Sequence, residues 1–217
     1  MKVLVFGNSH VAALIKAYRE GICTWDIDFA CVPNPKQHHV SINDHGLCFD
    51  EAIYPAIERS FGRVVSTVNF NHYDRIVFVI GRSRQHFQIY QSLSLINGLM
   101  CGNMREDYVS LMKRFASKVV FIGSPPLIKN DRQDPPPELI ETWNSAILPK
   151  LRELSEKTLK SSSCFSVLLP PKEIMDSNNI FVRNEFKRFP TKWDDNHLSI
   201  EAGGIILNHV WQSVALL

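Results

Sequence analysis

Val3-Leu4-Val5-Phe6-Gly7-Asn8-Ser9-His10-Val11 is the stretch on which the reading of this chain turns. Val3–Phe6 is a short β-branched and aromatic run, apolar at every position and stopped by Gly7. That pattern fits a strand buried on both faces, as in a parallel sheet. Helical spacing takes over at once. Between Ser9 and Glu20, residues Val11, Leu14, Ile15 and Tyr18 fall on one face, and Gly21 stands where a helix would be capped. A strand that turns directly into a helix is half of a βαβ unit.

The rest of the chain repeats this alternation. Ile27–Val32 is a second strand closed by Pro33-Asn34-Pro35, and Arg75–Ile80 is the clearest buried strand, ended by Gly81. Val119–Ile122 and Phe165–Leu169 supply two more. Helices are expected over Glu51–Phe61, about Glu106–Ala116, from the Asp134-Pro135-Pro136-Pro137-Glu138 opening to about Lys160, and from about Ser199 onward. Val40, Ile42, Leu47 and Phe49 flank Asn43-Asp44-His45-Gly46, the pattern of a small hairpin with a glycine-containing turn. The expected architecture is a three-layer α/β/α sandwich of flavodoxin-like topology in one domain, 1–217, around a mostly parallel sheet.

Composition excludes several classes. With 217 residues, 45% hydrophobic and 21% charged, the chain is large enough for a continuous core. A net charge of +2 and the absence of a Lys/Arg tail or stripe give no reason to expect nucleic acid. No apolar run approaches the roughly 20 residues of a spanning helix, and Met1–Gly7 enters a strand without the layout of a signal peptide. Five scattered cysteines (Cys23, Cys31, Cys48, Cys101 and Cys164), without C-x-x-C spacing, suggest free thiols in a reducing compartment. The expected location is the cytoplasm. No P-loop, dinucleotide fingerprint or metal-ligand spacing is present, and the second glycine of a G-x-S-x-G elbow is missing. No cofactor or metal is expected.

Chemistry is suggested by the two ends together. Ser9 lies past the first strand, where ligands of open α/β sheets bind, at a helix start whose dipole favours developing negative charge. Near the C-terminus stands Asp194-Asp195-Asn196-His197. A serine hydroxyl becomes a nucleophile when an imidazole takes its proton and a carboxylate holds that imidazole. The competing reading of Ser9 is a simple helix cap, whose hydroxyl accepts from a backbone N–H. His10 is open between a substrate contact and an exposed first-turn residue. The aromatic-punctuated segment carrying Phe181, Phe186, Phe189 and Trp193 is open between a lid and a loop anchored to the core.

The Gly7-Asn8-Ser9-His10 and Asp194-Asp195-Asn196-His197 blocks resemble those of the SGNH (GDSL-like) hydrolases, a family of esterases, lipases and acyltransferases. The resemblance implies a three-layer α/β/α fold with Ser9 as nucleophile, His197 as general base and Asp194 as its orienting carboxylate. It also implies an ester substrate, plausibly a small acyl group on a carbohydrate. The chain departs from the family in three places. Asn8 replaces the usual Asp before the serine. Gly81-Arg82-Ser83-Arg84 stands where Gly-x-Asn-Asp is usual, so Ser83, helped by Arg82 or Arg84, would have to replace an asparagine that donates to the oxyanion. Gly46 is the nearest candidate for the family's glycine N–H donor. These departures motivate a second expectation, a saccharide- or anion-binding domain without turnover.

Overall fold

The computed structural model describes residues 1–79, 106–122, 127–128, 137–159, 166–177, 181–188 and 197–215. Five parallel strands form the central sheet: β1 (Lys2–Gly7), β2 (Asp26–Cys31), β6 (Arg75–Val79), β7 (Val119–Ile122) and β9 (Ser166–Leu168), in the order β2-β1-β6-β7-β9. Register is set by pairs such as Val5↔Phe29, Val5↔Val77 and Phe78↔Phe121. This is the 2-1-3-4-5 order of flavodoxin-like sheets, in which strand order reverses beside β1.

Alternate residues of each strand face opposite ways, and here both ways are dry. Val3, Val5, Val77, Val79, Val120 and Ile122 meet α1 (Val11–Arg19) and α6 (Ile200–Val214) on one face. Leu4, Phe6, Ile76, Phe78, Val119 and Phe121 meet α2 (Tyr54–Phe61) and α3 (Glu106–Arg114) on the other. Burial on both faces explains why these strands are apolar at consecutive positions. The expected three-layer sandwich is what forms.

The hairpin is present as β3 (Val40–Asn43) and β4 (Gly46–Phe49), with Asn43 Oδ1 accepting from the N–H groups of His45 (2.8 Å) and Gly46 (2.9 Å). A third strand, β5 (Thr67–Asn69), joins it antiparallel, and this small sheet packs Val40, Leu47, Phe49 and Val68 into the second core. Sequence patterning does not announce β5, which is only three residues long.

The long helix expected after Pro137 divides into α4 (Pro137–Thr142) and α5 (Leu148–Leu159), joined by a π-helical turn at Trp143–Ile147. Along α5, Ser155 Oγ donates to the Val167 carbonyl (2.7 Å) and Thr158 Oγ1 accepts from its N–H (3.0 Å). Those bonds cover the free side of edge strand β9, which would otherwise present unpaired backbone. A short parallel pair, β8 (Leu127–Ile128) with β10 (Phe181–Val182), completes the strands. Among the described residues no helix is long and apolar enough to cross a membrane, and Cys23, Cys31 and Cys48 are free thiols.

Candidate functional site

The turn from β1 into α1 is held by backbone and by Asn8. Gly7 abuts β6 so closely that a Cβ would strike the Val79 carbonyl, and the Asn8 N–H donates to that same oxygen (3.3 Å). Asn8 is fully buried. Its carbonyl accepts from Val11 N–H (3.0 Å) and from the Cys31 thiol (3.2 Å), and its Oδ1 accepts from His10 N–H (3.2 Å). The first helical residue is Val11, with His10 at the cap position making no side-chain cap. No side chain caps α1, so Ser9 does not take the capping role, and the Asn8 side chain instead holds the N–H of the cap residue His10. Ser9 is left half-exposed at the carboxyl edge of the sheet, with its carbonyl taken by Ala12 N–H (3.1 Å).

His197 reaches the same edge from the other end of the chain. Its carbonyl accepts from Arg188 N–H (3.0 Å), Leu198 forms an antiparallel bridge with Lys187, and Ser199 N–H donates to the Phe186 carbonyl (2.7 Å). Ser199 then caps α6, its Oγ accepting from Ala202 N–H (3.1 Å). Downstream, α6 lies against α1 at a glycine contact, since a Cβ on Gly203 would enter the Ala13 carbonyl. Two helices that approach this closely bring their starts together. His10 feels the result. Burial, and secondarily the proximity of His197, hold the His10 imidazole down at about 4.

His10 is thus not an exposed first-turn residue. Although the residue as a whole keeps some contact with solvent, its Nδ1 is buried and has no hydrogen-bond partner. Nothing in sequence marks this, because it depends on segments distant along the chain, His197 among them.

Gly46 requires a correction. It opens β4, and its N–H is already donated to Asn43 Oδ1. The adjoining Asp44 pairs with Arg114 (3.0 Å) at the end of α3, the end that feeds the amino terminus of β7. Gly46 therefore sits at the amino edge of the sheet, a strand length (on the order of 15 Å) from the edge that carries Ser9. The antiparallel return of β4 is what carries it away, and it cannot donate to an oxyanion at Ser9. Arg82, Ser83, Arg84, Asp194 and Asp195 lie outside the described residues, as do Phe189 and Trp193. Phe186 is buried in the first core, so at that point the aromatic segment is anchored.

Other candidate chemistry is occupied. Burial pushes the Cys31 thiol up to about 11, and it stays protonated and donates to Asn8. The loop after β2 is tied down by Tyr108 Oη donating to Gln37 Oε1 (2.7 Å) and Gln37 Nε2 donating to Val32 O (2.6 Å). His39 Nδ1 meets Asp50 Oδ2 at 3.3 Å on the surface. Among the described residues no group of three His, Cys, Asp or Glu side chains converges to hold a metal ion.

No family model matches this chain, and no curated protein matches it in sequence. One solved structure is similar in fold: a "putative acylhydrolase" from Bacteroides fragilis, with a TM-score of 0.51 at 11% identity, covering 100% of this chain and 88% of that one.

Proposed function

We propose that the chain is a serine hydrolase of acyl esters, with Ser9 as nucleophile, His197 as general base and Asp194 as the carboxylate that orients the imidazole. The observation that carries the reading is the meeting of the Ser9-His10 turn and His197 at the starts of two packed helices, on the carboxyl edge where strand order reverses. The fold likeness to a structure described as an acylhydrolase supports it, as does a helix start that Ser9 does not cap.

In this mechanism Ser9 Oγ attacks the ester carbonyl while its proton passes to His197. The carbonyl π pair moves onto oxygen, and the oxyanion is met by the Ser9 N–H together with Ser83, Arg82 or Arg84, which follow β6 in the sequence. Collapse expels the alcohol, which takes the proton from His197. Water, activated by the same imidazole, then releases the acid; an acceptor hydroxyl in its place would make the enzyme an acyltransferase. Small acyl groups on carbohydrates remain the proposed substrates.

A fluorophosphonate probe should label Ser9. Ser9→Ala and His197→Ala should each lower turnover of para-nitrophenyl acetate by roughly a thousandfold or more. Unchanged turnover in Ser9→Ala would remove the mechanism. The position of Gly46 favours a second reading, binding of a saccharide without turnover, because one expected oxyanion donor is missing. That reading predicts folded protein in which Ser9 is never labelled.

A further inference from the structure

Among the described residues two buried side-chain nitrogens lack a hydrogen-bond partner, Arg75 Nε and His10 Nδ1. They lie at opposite ends of the sheet. Arg75 opens β6 at the amino edge, whereas His10 stands beside Ser9 at the carboxyl edge. A buried polar atom without a partner is costly, and such atoms in folded proteins are ordinarily met by something that binds there. The His10 backbone is held by its N–H, donated to Asn8 Oδ1, and the ring lies close enough to His197 for the two to interact electrostatically. The orphaned nitrogen therefore belongs to the residue beside the proposed nucleophile, within electrostatic reach of His197.

We infer that His10 is a substrate-positioning residue whose Nδ1 hydrogen-bonds a hydroxyl on the alcohol portion of the ester. This rests on the hydrolase reading above and adds a specificity determinant to it. The partner's chemistry follows from the ring. Burial keeps the imidazole uncharged at neutral pH, so it offers no ionic attraction to a carboxylate or phosphate. In a neutral imidazole Nδ1 is a donor or an acceptor according to tautomer, and a hydroxyl can answer either. An apolar alcohol would leave the nitrogen unpaired in the complex, so sites of this kind discriminate against analogues lacking the hydroxyl.

A matched pair of esters tests the inference: propyl acetate, and glycerol monoacetate, which differs from it by added hydroxyls. Acetate release is followed for the wild type, His10→Phe and His10→Asn, with fluorophosphonate labelling of Ser9 in each. The wild type should prefer glycerol monoacetate. His10→Phe should lower that preference in kcat/KM by roughly tenfold, chiefly through KM, the effect of one lost neutral hydrogen bond. His10→Asn places an amide near the Nδ1 position and should restore much of the preference. An equal effect of His10→Phe on both esters would overturn the inference, because an internal water or plain packing would then account for Nδ1. Labelled Ser9 with no wild-type preference would also overturn it while leaving the hydrolase reading intact. Absence of labelling in the folded wild type would overturn both.

Discussion

Asn8 and His10 decide what Ser9 is free to do. Had Ser9 capped α1, its hydroxyl would be committed to a backbone N–H; α1 has no side-chain cap, and the fully buried Asn8 side chain holds the His10 N–H instead. His10 carries a consequence for stability. Its imidazole is held at about 4 in the folded protein by burial, with His197 contributing, against an ordinary value near 6.5. The unfolded chain therefore binds a proton that the folded one refuses between those values. Stability contributed by the neutral ring is fully present above about pH 6.5 and declines as pH falls toward 4, by about 3 kcal/mol at most. Urea titrations across this range should show a steeper loss in the wild type than in His10→Gln. Parallel slopes would mean that the ring is as easily protonated folded as unfolded.

Among the elements, the α1–α6 contact is what positions His197, and its two adjacent glycines differ in what they face. Gly203 lies against the Ala13 backbone, whereas Gly204 faces only the side chain of Ile22, which is 41% exposed and has room to shift. Alanine ordinarily stabilises a helix over glycine by up to about 1 kcal/mol. Gly203→Ala should reverse that sign and destabilise by about 2 kcal/mol, because the helices must separate. It should also slow fluorophosphonate labelling by moving His197. Gly204→Ala should be close to neutral on both counts. Denaturation midpoints and labelling rates of the pair read this directly, and equal behaviour of the two variants would discount the contact. Element boundaries also show where local pattern stops being informative. The π-helical turn at Trp143–Ile147 interrupts what reads as one helix, and β5 is too short for an alternating pattern to register.

At the scale of the whole molecule, β1 and β6 are the centre. Leu4, Phe6, Ile76, Val77 and Phe78 are all fully buried, and each strand is paired on both sides. Amides of β1 and β6 should exchange only through global unfolding, while those of the β3–β4–β5 sheet should open at lower free energy. Native-state hydrogen exchange would show this as two tiers of protection, and a single tier would indicate one cooperative unit. The proposed site stands just past the carboxyl end of β1, the strand at the centre of this slow tier.

The sequence by itself determined the layers. Runs such as Val3–Phe6 and Ile76–Val79 are apolar at consecutive positions, which water permits only where both faces are covered, and the intervening helical spacing supplies the cover. It also offered Ser9 and His197 as candidates, because their neighbours carry local turn and helix-start signals. Only tertiary structure decided that Gly46 lies at the wrong edge, that α1 starts without a cap from Ser9, and that His10 Nδ1 is buried near His197. Each depends on which segments meet in space. Periodicity encodes how much of a residue must be hidden, but the identity of what hides it is set by strand order and by helices crossing at Gly203.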